Sequence, residues 1–282
     1  KTAYEMLRSL VGSEMCIRDR IISVANSGNA EAQNQLGDAY FDGIEIEQDY
    51  TLAFEWYLRA AQQGHKEAQY NVAFAYANGL GTQKNMEKAI EWYSKSADQG
   101  VALAQYVLAK ILIDGQHKAQ DYSKGLELLQ KASDQGLVLA QYDLGICYLE
   151  GRIVEANTKI GIEYLTLASD QGNKEAQFNL GLAYSNLPEP DYPNSEKYLR
   201  EASNNGHFKA MLELSRFYAI YMRDYKQGLL WAIVALEYCE EEEEQRITRI
   251  KRGLESKLSA AECETVASEA MDIITSLYAK LC

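Results

Sequence analysis

Apolar and small positions recur along this chain with a period far longer than any single helix or strand. Gly28, Gly64, Gly100, Gly136 and Gly172 are spaced by 36 residues, and Gly206 follows 34 later. Counted from each glycine, position +4 is alanine: Ala32, Ala68, Ala104, Ala140, Ala176 and Ala210. Position +8 is Leu36, Val72, Leu108, Leu144, Leu180 and Leu214, and position +12 is tyrosine in every copy but the third, which has Leu112. Steps of four residues put these positions on one stripe of a helix. Position +9 is small (Gly37, Ala73, Ala109, Gly145, Gly181, Ser215), which lets a neighbouring helix approach closely. Gly43, Gly79, Gly115 and Gly151 at +15 stand where a left-handed residue ends a helix. A second helix follows, with pairs such as Trp56–Tyr57, Trp92–Tyr93, Leu128–Leu129, Tyr164–Leu165 and Tyr198–Leu199. Each unit is predicted to be a helix hairpin with one apolar side, which it buries only by stacking on its neighbours.

The repeated text AEAQNQLGDAY, KEAQYNVAFAY, ALAQYVLAKIL, VLAQYDLGICY and KEAQFNLGLAY, followed by a glycine loop and a second helix closing on A-x-Q-G, resembles the Sel1-like repeat family, a relative of the tetratricopeptide repeats. The resemblance covers residues 21–240 and implies an all-α fold: a right-handed superhelical solenoid of helix hairpins with a C-terminal helical cap. Six repeats are expected at 28–63, 64–99, 100–135, 136–171, 172–205 and 206–240. Residues 1–20 do not fit the pattern. The stretch SLVGSEMCIRD resembles translated linker sequence, so this leader is expected to be non-native, with a divergent native cap as the alternative. Residues 21–27 then read as the end of a truncated repeat.

The loops DGIEIEQDY, NGLGTQKNM, DGQHKAQDYS and EGRIVEANT are polar and variable, as expected along one edge of a repeat array. The fifth copy has Leu187 in place of the +15 glycine and carries Pro188, Pro190 and Pro193 in a shortened loop, read as a stiff local variant, with a special binding loop as the alternative. Residues 241–282 are expected to form capping helices. The run Glu240–Glu244 suits the positive end of a helix dipole, and Ile247, Ile250, Leu254 and Leu258 form an apolar stripe. Ser259 and Glu262 make a capping box before a last helix whose apolar positions include Cys263, Val266, Ala267, Ala270, Ile273, Ile274 and Leu277. A dimerisation or docking helix is the competing reading of that segment.

Charge narrows the range of partners. Forty-one acidic residues against 28 basic ones give a net charge of −13, a field that disfavours nucleic acid and anionic membrane surfaces. No apolar run approaches the ~20 residues that span a bilayer. The five cysteines have no repeating spacing, unlike the paired cysteines of the secreted branch of the Sel1-like family, and Cys147 beside the core stripe reads as a buried thiol. This favours a reducing, cytoplasmic setting; a signal peptide lost with the native N-terminus would make it periplasmic or secreted. No nucleophile elbow, phosphate loop, zinc-protease motif or C-x-x-C is present. Gly79-Leu-Gly81 is a loop fragment, and His65 and His207 occupy turns four repeats apart, so neither cofactor nor metal is expected.

What remains is a face. Positions +6 and +10 lie roughly opposite the +4/+8/+12 stripe. They carry Tyr70 and Phe74, Tyr106 and Lys110, Tyr142 and Ile146, and Phe178 and Leu182 in copies two to five. The first and sixth copies have Asn34 with Asp38 and Leu212 with Arg216, a more polar pair at each end. Relatives among the tetratricopeptide repeats hold extended peptides on the corresponding inner, concave surface, and the resemblance implies the same use for these eight residues. Packing between successive copies is the competing role for the +6 aromatics. The expected function is a non-enzymatic, monomeric adaptor or scaffold for a protein or peptide partner. The resemblance also implies two alternatives: hydrolysis of β-lactams, as in the cysteine-rich branch, and a structural role in an envelope or secretion assembly.

Overall fold

Each predicted hairpin forms because its two apolar stripes are interrupted by residues that stop one helix and start the next. The computed structural model describes residues 20–44, 46–115 and 120–281. Residues 1–19, and with them nearly all of the presumed leader and Cys16, lie outside the described residues, as do His117 and Cys282. Helical residues 20–26 form α1. The hairpins that follow are α2 (Ala30–Asp42) with α3 (Tyr50–Gln62), α4 (Lys66–Asn78) with α5 (Met86–Asp98), and α6 (Ala102–Asp114) with α7 (Tyr122–Asp134). Next come α8 (Val138–Glu150) with α9 (Thr158–Asp170), and α10 (Lys174–Ser185) with α11 (Tyr192–Asn204). α12 (Phe208–Phe217) runs into a π-helical turn at Tyr218–Met222 and is followed by α13 (Tyr225–Tyr238), α14 (Glu241–Glu255) and α15 (Ala260–Leu281). Among the described residues all regular structure is helical. The chain packs as two compact units, one up to Ala140 and one from Gln141.

In the first unit, helices neighbouring in sequence pack in order from α2 to α7. Ala68, Val72 and Ala73 of α4 are fully buried, as the stripe requires. The helix stops at Gly79, whose φ of 75° is left-handed and whose N–H donates to the Ala75 carbonyl. Gly81, also left-handed, lies so close to α3 that a Cβ there would sit 1.9 Å from the Tyr50 carbonyl oxygen. Asp49, Asn85 and Asp121 restart the chain by accepting backbone N–H groups at the first turns of α3, α5 and α7.

A buried amide relay ties the hairpins together. Gln33, Gln69 and Gln105 are 4–6 % exposed. Their side-chain N–H groups donate to the carbonyls of Ala25, Ala61 and Ala97 on the preceding helix, at 3.1–3.3 Å. Their oxygens accept from Gln63, Gln99 and Gln135 at the end of the following helix, at 2.7–2.8 Å. Each glutamine therefore joins three helices with its polar atoms satisfied.

The second unit uses the same devices. Gln141 accepts from Gln171, and Gln177 accepts from Asn205. Leu165 of α9 lies over Gly145 of α8, where an added Cβ would stand 2.6 Å from its Cγ. Pro193 sits in the first turn of α11 rather than in the loop before it, behind an Asp191 cap; a proline there loses no helical hydrogen bond. α14 and α15 both pack on α13, enclosing Trp231, Val234, Ile247, Leu254, Val266, Ile274 and Leu277. Ser259 and Glu262 form the reciprocal capping box, but Ala267 faces outward. Cys147, Cys239 and Cys263 are half-buried, so Cys147 is less covered than its position beside the stripe implied.

Candidate functional site

The eight residues of the +6/+10 face are all half-buried, neither in the core nor fully exposed. In the first unit Tyr70 and Phe74, one turn apart on α4, stack with centroids 6.5 Å apart. Tyr70 also lies 5.6 Å from the ring of Tyr93 on α5. Phe41 of α2 meets Phe74 edge-on at 6.2 Å and Tyr57 at 6.5 Å. Tyr106 and Lys110 occupy the same positions of α6 and are engaged with neighbouring groups.

Between α2 and α4 the rings border a cavity of about 220 Å³, lined by Asp38, Phe41, Asp42, Tyr57, Tyr70, Asn71 and Phe74. Tyr57 reaches it from α3: its ring lies against Gly37, where an added Cβ would stand 2.5 Å from Cδ1, and its hydroxyl donates to Asp38 Oδ1 at 2.8 Å. Asn71 donates to Asn34 at 3.1 Å and more loosely to Asp38 at 3.4 Å, and Asn34 donates to Asp38 Oδ2 at 3.2 Å. Burial pushes the Asp38 carboxyl above its ordinary range, against the opposing pull of the Tyr57 hydrogen bond. Burial likewise raises the hydroxyls of Tyr57 and Tyr70.

In the second unit the same face also meets polar and ring partners. Phe178 stacks on His207 at 4.5 Å, and Asn179 donates to the Tyr142 hydroxyl at 3.3 Å. Ile146 and Leu182 remain half-buried beside them. His207 is 5 % exposed, not the surface residue its turn position suggested. Its Nδ1 accepts the Ala210 N–H, which leaves Nε2–H to donate to Glu175 at 3.0 Å. His65 repeats the arrangement with Ala68 and Glu31. Both histidines are thus helix caps bridging consecutive repeats, and no cluster of metal-ligating side chains occurs among the described residues.

Sequence reasoning missed Asp38, Phe41, Tyr57 and Asn71 as lining residues. One signal was available: the second-helix core position is tyrosine in the first two copies, Tyr57 and Tyr93, and leucine in the next three. A hydroxyl in a core position needs a polar partner.

Stacked helix hairpins with a small residue at each close approach define a helical-repeat protein of the solenoid class. The Sel1 repeat pattern matches residues 30–65, 66–101, 102–137, 138–173 and 174–207, and the chain belongs to the Sel1 repeat family, whose members are generally protein-interaction scaffolds. The fold is similar to that of a protective antigen of uropathogenic Escherichia coli with an SLR fold, at TM-score 0.67 and 24% identity. That likeness covers 94% of this chain and 66% of the antigen. A Sel1 repeat protein from Oxalobacter formigenes is similar at TM-score 0.62 and 28% identity, over 80% of this chain and 85% of that one. No curated protein matches. No helix of the described residues is long and apolar enough to cross a membrane.

Proposed function

We propose that the protein is a non-enzymatic, monomeric interaction scaffold that holds an extended peptide segment of a partner on the +6/+10 face of its first helices. The observation that supports this most directly is the half-burial of Tyr70, Phe74, Tyr106, Lys110, Tyr142, Ile146, Phe178 and Leu182. A ring covered on one side by its own repeat still presents an edge or a hydroxyl to a ligand, and aromatic anchors of this kind dominate binding energies. Packing alone would have favoured complete coverage, as for Leu144 and Leu180, both fully buried. A hydrolytic role is the weaker reading because both described histidines already use both ring nitrogens.

The test is a random-peptide display selection on the purified protein, followed by affinity and melting measurements on Tyr106→Ala and Lys110→Glu. Losing one central anchor is expected to weaken a selected peptide ~30-fold, about 2 kcal/mol, without moving the melting transition. A variant that lowers the melting temperature and leaves affinity unchanged assigns the ladder to packing. Unchanged affinity in both variants moves the partner to another face.

A further inference from the structure

The α2–α4 cavity is more selective than an apolar patch. Four rings (Phe41, Tyr57, Tyr70, Phe74) and two carboxylates (Asp38, Asp42) share a space of about 220 Å³. That is more than the ~150 Å³ that holds a benzene and less than the ~300–1,000 Å³ of most small-molecule sites, so it suits a single side chain. No lysine or arginine lines it. Asp38 receives hydrogen bonds from three neutral donors: Tyr57, Asn34 and Asn71. The titratable groups that act on it are Asp42, Glu31 and His65, and His65 is itself bonded to Glu31. A carboxylate partly withdrawn from water with only neutral donors gains from a cation. Aromatic faces attract a cation as well, so both halves of the wall select the same charge. The net charge of −13 draws a basic segment towards the molecule in the first place.

We propose that this cavity is the seat for an arginine side chain of the partner peptide, its guanidinium lying on the Tyr70–Phe74 rings and donating to Asp38 and Asp42. The planar guanidinium stacks and donates in its own plane at the same time, which the lysine ammonium does not do. This assignment rests on the interaction reading of the first-helix face and adds to it the chemistry of one anchor.

The probes are the capped tripeptides Gly-Arg-Gly, Gly-Lys-Gly and Gly-citrulline-Gly, titrated into ¹⁵N-labelled protein while the Asn71 side-chain amide signal is followed. Citrulline keeps the shape of arginine and removes its charge. The arginine peptide is expected to shift the Asn71 signal and to bind about tenfold more tightly than the citrulline peptide, with lysine between them. Asp38→Asn, which keeps the size of the side chain and one acceptor oxygen but turns the other acceptor into a donor, is expected to abolish that preference. Asp42→Asn, at an exposed carboxylate, is expected to reduce it with an unchanged melting curve. Equal affinities for arginine and citrulline, a preference that survives both substitutions, or no movement of the Asn71 signal each overturns the assignment. A display-selected peptide that lacks arginine and depends on Tyr106 overturns it too, while leaving the interaction face intact. Arginine selectivity that depends on Asp38, together with indifference to Tyr106→Ala and Lys110→Glu, supports the cavity and refutes the wider face.

Discussion

The small residue at +9 makes a prediction in which one substitution has opposite signs at two sites. Gly145 and Gly253 both lie inside helices, so glycine costs each helix ~1 kcal/mol relative to alanine. Around Gly253 nothing lies within 4 Å of an added Cβ. Gly253→Ala is therefore expected to stabilise the protein by ~0.5–1 kcal/mol. At Gly145 the same methyl would stand 2.6 Å from Leu165 Cγ, 2.8 Å from Leu165 Cδ2 and 3.1 Å from the Gly161 carbonyl oxygen. Relief at Leu165, fully buried on α9, requires the two helices to part, and overpacking of this kind costs ~1–3 kcal/mol. Set against the propensity gain of ~1 kcal/mol, Gly145→Ala is expected to be net destabilising by up to ~2 kcal/mol, and Gly145→Leu by more. Urea denaturation followed by circular dichroism measures both, with midpoints compared at unchanged slope. If Gly145→Ala raises the midpoint as Gly253→Ala does, α8 and α9 are not in close contact and the +9 register is wrong.

The other expectations concern polar groups. Gln69→Leu breaks one relay, removing both its bond to the Ala61 carbonyl and the bond from Gln99, and is expected to cost ~1–3 kcal/mol; Gln99→Ala, at an exposed end where water replaces the lost donor to Gln69, should cost less. Equal urea midpoints for the two variants would show that the relay contributes nothing beyond its surface bond. The backbone N–H of Ser259 and then Lys226 hold the Glu262 carboxyl down to about 2 from its ordinary 4.5, so its contribution is fully present above pH 4.5 and is lost as pH falls towards 2. Glu262→Gln should melt below the parent at neutral pH and converge with it near pH 2, and a difference that persists at pH 2 would refute the linkage.

The sequence by itself determined the repeat, the two helices of each copy, the stripe at +4 and +8, the small +9 position and the stop at glycine +15. These are local or averaged properties: burial along one helix leaves a periodic trace, and a left-handed residue leaves a glycine. The capping box at Ser259 and Glu262 was legible for the same reason, its partners being three residues apart. Only the tertiary structure decided which polar residues meet across helices. Gln69 and Gln99 are 30 positions apart, and Tyr57 is 19 from Asp38. The recurrence of these glutamines every 36 residues marks them as part of the repeat but does not say which groups they meet, because the meeting depends on how one hairpin leans on the next. His207, placed on a surface turn by sequence, was buried by the ring of Phe178. The cavity follows the same logic: Asn34 and Asp38 read as a polar end of the first-helix face, and stacking brought Tyr70 and Phe74 of the next copy beside them, turning an end into a half-open anionic and aromatic site.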